Sequence, residues 1–249
     1  MDSIPGDISY AGFCNDCGRL HSLPSARAVS ECLSLMDQLR RHGRIDFDVP
    51  AESADPRLST GFMYTEMRGK MLGVLVCEDA SGREVLLRAF SSKFNGMRKV
   101  PGWAPPLMDE ELFDATMEAG NLGIHPLTAE IQSLEKGSLE WSLRVAERKA
   151  VSQGVLSKLY ALYEVHNFKN EKRALADAFN IRKGMPVGTG DCCAPKLLNQ
   201  AARKALKPVS IAEFFWGRET VSGGRVEGTF YSSCADKCQP LLGFMLCGL

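Results

Sequence analysis

Residues 190–198, GDCCAPKLL, put an aspartate and two adjacent cysteines at the head of an apolar, helix-forming run. A proline and a lysine follow within its first turn. Two readings are open: a buried, inert helix start, or a place where Asp191, Cys192 and Cys193 do metal or thiol chemistry. A helix N-terminus favours the thiolate, the form that binds a cation or attacks an electrophile. The stretch opens a helix over DCCAPKLLNQAARKA, residues 191–205. Next come the strand PVSIAEFFWG (208–217), the glycine-rich loop RETVSGGRVEG (218–228) and TFYSSCADKCQPLLGFMLCGL (229–249). That last segment reads as a short strand entering a helix that begins near Cys234.

Working outward, MLGVLVCED (71–79) and EVLLRAFSSKFNG (84–96) bracket a tight Asp-Ala-Ser-Gly turn, which makes a β-hairpin. The first run is continuously apolar, as expected of a strand covered on both faces. VPGWAPP (100–106) is a proline-rich loop, in which Trp103 serves as a packing anchor or as a stacking surface for a base. From about 108 to 168 the pattern turns helical. MDEELFDATME is short, and TAEIQSLEKG and the run from Ser138 to Phe168 follow, broken at Gly137. Leu143, Ala146, Ala150, Leu156, Leu159 and Tyr163 share a stripe, which predicts an antiparallel helical pair. His166 reads as a helix-end histidine, and IRKGMPVGTG (181–190) as a loop.

Toward the start of the chain, SARAVSECLSLMDQLRRHG (25–43) predicts a helix capped by Ser25 and ended by Gly43. Its apolar positions are Val29, Cys32, Leu33, Met36 and Leu39. VPAESADPRLSTG (49–61) reads as a linker or long loop.

Composition narrows the function classes. With 30 Lys+Arg against 30 Asp+Glu, no global field steers the protein to nucleic acid or an anionic membrane. A local basic strip (Lys93, Arg98 and Lys99) leaves RNA binding open, and nothing points to DNA. MDSIPGDISY has no basic n-region and no apolar h-region, and no run approaches a membrane span. The expectation is a soluble cytoplasmic protein. Nine cysteines, an odd count, cluster in short spacings, which argues against a disulfide framework and for metal or reactive thiols.

Cys14-x2-Cys17 followed by Gly18 is a zinc-knuckle half-site, since the glycine permits a turn that aims both thiolates at one ion. His21 and Cys32 would complete a Cys3His set; the competing reading leaves the CxxC fortuitous or redox-active and Cys32 in the core. Cys234-x3-Cys238 pairs two thiols on one helix face, where core packing competes with metal binding. Cys77 and Cys247 read as buried and inert.

The element order, together with CCAPKLL and SSCADKC, resembles the zinc-dependent cytidine deaminase fold, in which metal ligands sit at the N-termini of two helices flanking the third strand. CCAPKLL is similar to the Cys-Ala-Glu-Pro-Lys opening of some deaminase-type toxin domains, and SSCADKC to their Pro-Cys-x-x-Cys. The resemblance implies Zn2+ held by Cys192, Cys234 and Cys238, a fourth position for water, and Asn95 contacting substrate. The chain departs from the pattern at Ala194, where the catalytic glutamate stands, in the x3 spacing, and in an insertion of some 60 residues. A proton shuttle then falls to Asp191, with Glu213 second. From about Arg68 to Leu249 the chain also resembles an uncharacterised region joined to some RluA-type pseudouridine synthases. That likeness is carried by GKMLGVLV, AFSSKFNG, GDCCAPKLL, AEFFWG and CADKCQPLLGFML, and it implies RNA proximity.

Glu213 interrupts an apolar strand and so needs a partner, exposure or a task. Lys196 points to Asp191, Glu213, a phosphate or solvent, and Trp216 either packs in the core or faces substrate. The resulting expectation is an α/β chain: a zinc-knuckle and helix module over 1–45, then a deaminase-like three-layer domain over 66–249 with a helical insertion at about 108–168. Besides thiol chemistry, with Cys193 as a nucleophile beside a metal site, two functions remain. One is a zinc-dependent hydrolase of deaminase type acting on a nucleobase, nucleoside or RNA. The other is a non-catalytic zinc-containing RNA-binding or protein-interaction module.

Overall fold

The computed structural model describes residues 8–180, 184–221 and 223–249. The first seven residues of MDSIPGDISY, the first three of IRKGMPVGTG and one serine of the glycine-rich loop lie outside the described residues. β1 (Tyr10–Cys14) and β2 (Arg19–Leu23) form an antiparallel hairpin with Cys14 opposite Arg19. Its turn closes through Gly18 N–H to Cys14 O at 3.0 Å, with Gly18 at φ +66°, a conformation open to glycine.

α1 (Ala26–His42) ends as the sequence predicts, at Gly43 with φ 61°. Ser25 precedes it but makes no side-chain cap bond. The buried face is Ala28, Val29, Cys32, Leu35, Met36 and Leu39, and Leu33 lies off it. The segment expected as a linker is instead wound into short 3-10 turns between Ala51 and Tyr64, with Leu58, Thr60 and Met63 buried.

β3 (Lys70–Glu78) is the middle strand of a sheet of order β4–β3–β7, where β4 is Glu84–Phe90 and β7 is Lys207–Trp216. It runs antiparallel to both neighbours. The β3–β4 turn is held by the Asp79 carboxylate, which accepts from Ser81 N–H at 2.9 Å and Arg83 N–H at 3.0 Å, with Gly82 at φ +79°. Strand periodicity divides the sheet into two faces. Leu72, Val74, Val76, Phe90, Ala212, Phe214 and Trp216 form one core with α1. Gly73 and Glu213 on the other face meet α5 (Cys193–Arg203). Two helical layers therefore sandwich the sheet, an α/β arrangement.

α2 (Glu110–Ser133) and α3 (Leu139–Tyr160) pack on each other, and the chain reverses at Gly137. α2 is continuous where the sequence suggested separate pieces, since it runs through Gly120 and Pro126. A Cβ on Gly120 would lie 2.6 Å from Val155 Cγ1, so the facing stripe on α3 runs through Val151 and Val155. Ala146 and Ala150, expected on that stripe, are exposed. α3 stops at Tyr160, and His166 lies in β5 (Glu164–His166), paired with β6 (Lys172–Ala174) ahead of the short α4 (Leu175–Ala178). α6 (Gln239–Met245) completes the order.

By their contacts the residues fall into two units. One takes in Met1–Leu107, Val165–Arg173 and Asp177–Leu249; the other is Met108–Glu164 with Ala174–Ala176. Residues 8–45, the described part of what was expected as a separate module, fall in the first unit. Among the described residues no helix is long and apolar enough to cross a membrane.

Candidate metal centres

Cys192 is the residue that caps α5, in extended backbone at φ −73° and ψ 166°, and Cys238 occupies the same place before α6. Cys234 starts the turn that leads into α6, closed by Cys238 N–H to Cys234 O at 3.2 Å. The sequence reading placed Cys234 and Cys238 on one helix face; they instead bracket this turn, because α6 begins only at Gln239. The three Sγ atoms lie within 4.8 Å of one another, and those of Cys234 and Cys238 are 3.4 Å apart. Metal–sulfur bonds of about 2.3 Å at tetrahedral angles put sulfurs roughly 3.8 Å apart, so the donor set fits a thiolate-bound ion.

Without a cation the cluster shares its protons unequally. Contact with Cys192, and then Cys238, holds the Cys234 thiol far below its ordinary range. Cys192 is pushed up first by Cys234, and Cys238 first by Cys192. Three thiolates at this separation repel strongly, and a divalent cation removes that repulsion.

Glu213 reaches the same helix start from β7. Its Oε1 accepts Ala194 N–H at 2.7 Å, which satisfies an amide that the Cys192 side chain leaves uncapped. Gly73 makes room for this, since a Cβ there would lie 3.0 Å from both Cys193 Cβ and Glu213 Cγ. Glu213 is 5% exposed, and burial pushes its pKa up to about 7; Ala194 N–H opposes that push and the Cys234 charge adds to it. The backbone beside it is pinned, with Glu213 N–H donating to Tyr10 Oη at 2.7 Å and Tyr10 O–H to Tyr231 O at 2.8 Å.

The other residues singled out from sequence take different places. Asp191 is half-buried, and its carbonyl accepts Ser92 N–H at 2.8 Å. Lys196 is 1% exposed and donates to Phe90 O at 2.9 Å and Ser92 O at 3.0 Å, so it ties α5 to the end of β4. Asn95, at φ +44°, donates its amide to Arg57 O at 3.0 Å. Trp216 packs with α1 on the sheet face opposite Glu213, under the Arg40 guanidinium at 5.3 Å. Trp103 is buried, and its Nε1 donates to Ile45 O at 3.1 Å. Cys193 is fully buried and its S–H points at Met71 O, 3.3 Å away; burial raises its pKa, so it packs.

A second cluster joins Cys14, Cys17, His21 and Cys247, whose donor atoms all lie within 4.8 Å of one another. Cys17 Sγ and His21 Nε2 are 3.1 Å apart, and that contact brings the Cys17 thiol down to about 6. The position given to Cys32 by sequence spacing is taken by Cys247. Cys32 is fully buried between α1 and the sheet, its S–H toward Ala212 O at 3.5 Å, and burial raises its pKa. Cys247 carried no sequence signal of its own, because its partners come to it only through the packing of α6 on β1 and β2. No protein-family model, curated protein or solved structure matches the chain.

Proposed function

We propose that Cys192, Cys234 and Cys238 hold a zinc ion and that the protein is a hydrolase of deaminase type, acting on an amino group of a nucleobase, nucleoside or RNA base. The observation that carries the reading is the Glu213 carboxylate, bonded at 2.7 Å to Ala194 N–H in the turn that Cys192 begins. Ala194 stands where the deaminase pattern has its glutamate, and Glu213 brings a carboxylate to that turn from the neighbouring strand. The element order supports the reading too. Hairpin β3–β4, α5, β7 and α6 follow one another, with the three thiols at the starts of the two helices.

A bound zinc ion would supply Lewis acidity and a fourth position at which water is acidified toward neutral pH. The chain's own part is proton movement. Ala194 N–H holds Oε1, which leaves Oε2 to carry a proton. Burial pushes this carboxyl up, to about 7 without a cation; a bound cation would favour its carboxylate form, the form that accepts a proton. Water adds to the ring carbon that bears the amine, and Glu213 takes its proton and passes it to the ring nitrogen. Glu213 then moves the proton of the added hydroxyl to the amine, the carbon–nitrogen bond breaks as the carbonyl forms, and ammonia leaves with the ring-nitrogen proton retained.

A non-catalytic zinc module is the second reading. It is favoured by the low exposure of Glu213 and by its service as a cap for α5. The test is ammonia release from cytidine, adenosine and single-stranded RNA by zinc-loaded protein. The expected result is turnover that falls about 10²–10⁴-fold in Glu213→Gln with zinc content intact, and that persists in Asp191→Asn. Absence of ammonia release by the wild-type protein on every substrate selects the non-catalytic module.

A further inference from the structure

The first cluster differs in kind from the second. Cys14, Cys17, His21 and Cys247 offer three thiols and an imidazole, a full tetrahedral set with no position left for water. Cys14 and Cys247 are buried, and the turn that presents Cys14 and Cys17 is fixed by Gly18. Three thiolates and a neutral imidazole around a divalent ion leave one net negative charge. Lys169 stands beside it, and the Cys247 sulfur pushes the pKa of its ammonium up.

Everything around the cluster fastens α6 to the β1–β2 hairpin. Backbones touch where they cross: a Cβ on Gly12 would lie 2.2 Å from Gly243 N, and one on Gly243 would lie 2.0 Å from Phe13 O. Asn180 bridges the two, donating Nδ2–H to Phe13 O at 3.1 Å and N–H to Pro240 O at 3.0 Å. Asp16, inside the Cys14–Cys17 turn, pairs at 2.8 Å with Arg173, whose guanidinium lies over the Phe244 ring of α6 at 4.6 Å. Cys247 follows the end of α6, and its carbonyl accepts Phe168 N–H at 2.9 Å.

We propose that Cys14, Cys17, His21 and Cys247 bind a second, structural ion of zinc type in a closed site that pins the C-terminal end of α6 to the β1–β2 hairpin. A soft thiolate set with one imidazole selects such an ion over magnesium or calcium. α6 is then held at both ends, since Cys238 at its start belongs to the open three-thiol site. The closed site stands independently of any chemistry at the open one.

The experiment has two parts on the full chain. Zinc content should be two ions per chain in the wild type and one in Cys247→Ala or in Cys192→Ala. Cys32→Ala should keep both. In Cys247→Ala the amides of α6 should exchange with solvent faster, by tenfold or more. Because Cys247→Ala could also unfold the chain, the second part uses the wild type loaded with cadmium-113. Proton correlations should join one cadmium to the β-protons of Cys14, Cys17 and Cys247. A cadmium that couples to Cys14 and Cys17 but not Cys247, or couples to Cys32, overturns the proposal. So does Cys247→Ala protein that retains two ions. If the wild type holds one ion that Cys192→Ala removes and Cys247→Ala does not, the closed site fails and the open one stands; the opposite pattern fails the open site alone.

Discussion

Replacing Glu213 with Gln isolates one buried acid in protein stripped of metal. In the folded chain this carboxyl titrates near 7, against an ordinary value of 4.5. Below about 4.5 it is protonated in both folded and unfolded states and adds no pH dependence. As pH rises from there to about 7 the unfolded chain releases its proton first, so the folded state holds the excess and stability falls with pH. Above 7 the whole penalty applies, and at 1.36 kcal/mol per pKa unit it comes to about 3 kcal/mol. Glutamine keeps an acceptor for Ala194 N–H and removes the titration. Urea unfolding, followed by the fluorescence of Trp103 and Trp216, should therefore show the variant gaining about 3 kcal/mol on the wild type between pH 4.5 and 7.5. The groups that the Glu213 charge also raises, Cys192, Cys193 and Cys238 among them, stay protonated over this range, and groups that do not sense it cancel in the difference. Loading with zinc should flatten the pH dependence, because a nearby cation favours the carboxylate. Parallel stability curves for the two metal-free proteins would refute the assignment of Glu213 as an acid kept protonated by burial.

Gly73→Val should lower unfolding free energy by about 1–3 kcal/mol, the usual range for overpacking, and should strip metal from the three-thiol site by moving the start of α5; melting temperature and zinc content read both. Cys32→Ala should cost about 1 kcal/mol by leaving a small void while leaving metal content unchanged, since Cys32 lies in the α1 core.

The parts of the fold legible in sequence were those fixed by near neighbours. The Asp79 turn, the Gly43 stop and the apolar run of β3 each depend on a handful of adjacent residues. The start of α6 was misplaced: the reading began the helix near Cys234, whereas it begins at Gln239, with Pro240 in its first turn. The separation of α2 into pieces followed the rule that glycine and proline break helices. Here packing on Val155 uses the missing side chain of Gly120, so the helix continues. Cys247 and Cys32 exchanged places for a different reason. Helical spacing states that Cys32 faces inward, but not whether a metal site or a hydrophobic core lies on that side. Three ligands within eight residues invited a fourth nearby, whereas the nearest donor in space comes from beyond α6. Glu213 did carry a signal, a carboxylate inside an apolar strand; what stayed hidden was its partner, a backbone amide.

Ala194, Gly73 and Glu213 are best understood as one solution. A helix that starts on Cys192 has amides to satisfy, and the Cys192 side chain caps none of them. A glutamate at 194 would bring its own acid to that turn. In this chain the acid comes from β7, and its Oε1 takes the Ala194 amide. For it to arrive, the sheet beneath the turn has to give up a side chain, and Gly73 is where it does so. A second carboxyl at 194 would then add another acid to a turn that already buries one, and like charges in one buried place cannot both ionise. Alanine at 194 and glutamate at 213 are therefore complementary. The acid that serves the turn at Ala194 stands nineteen residues on in sequence but one hydrogen bond away in the fold.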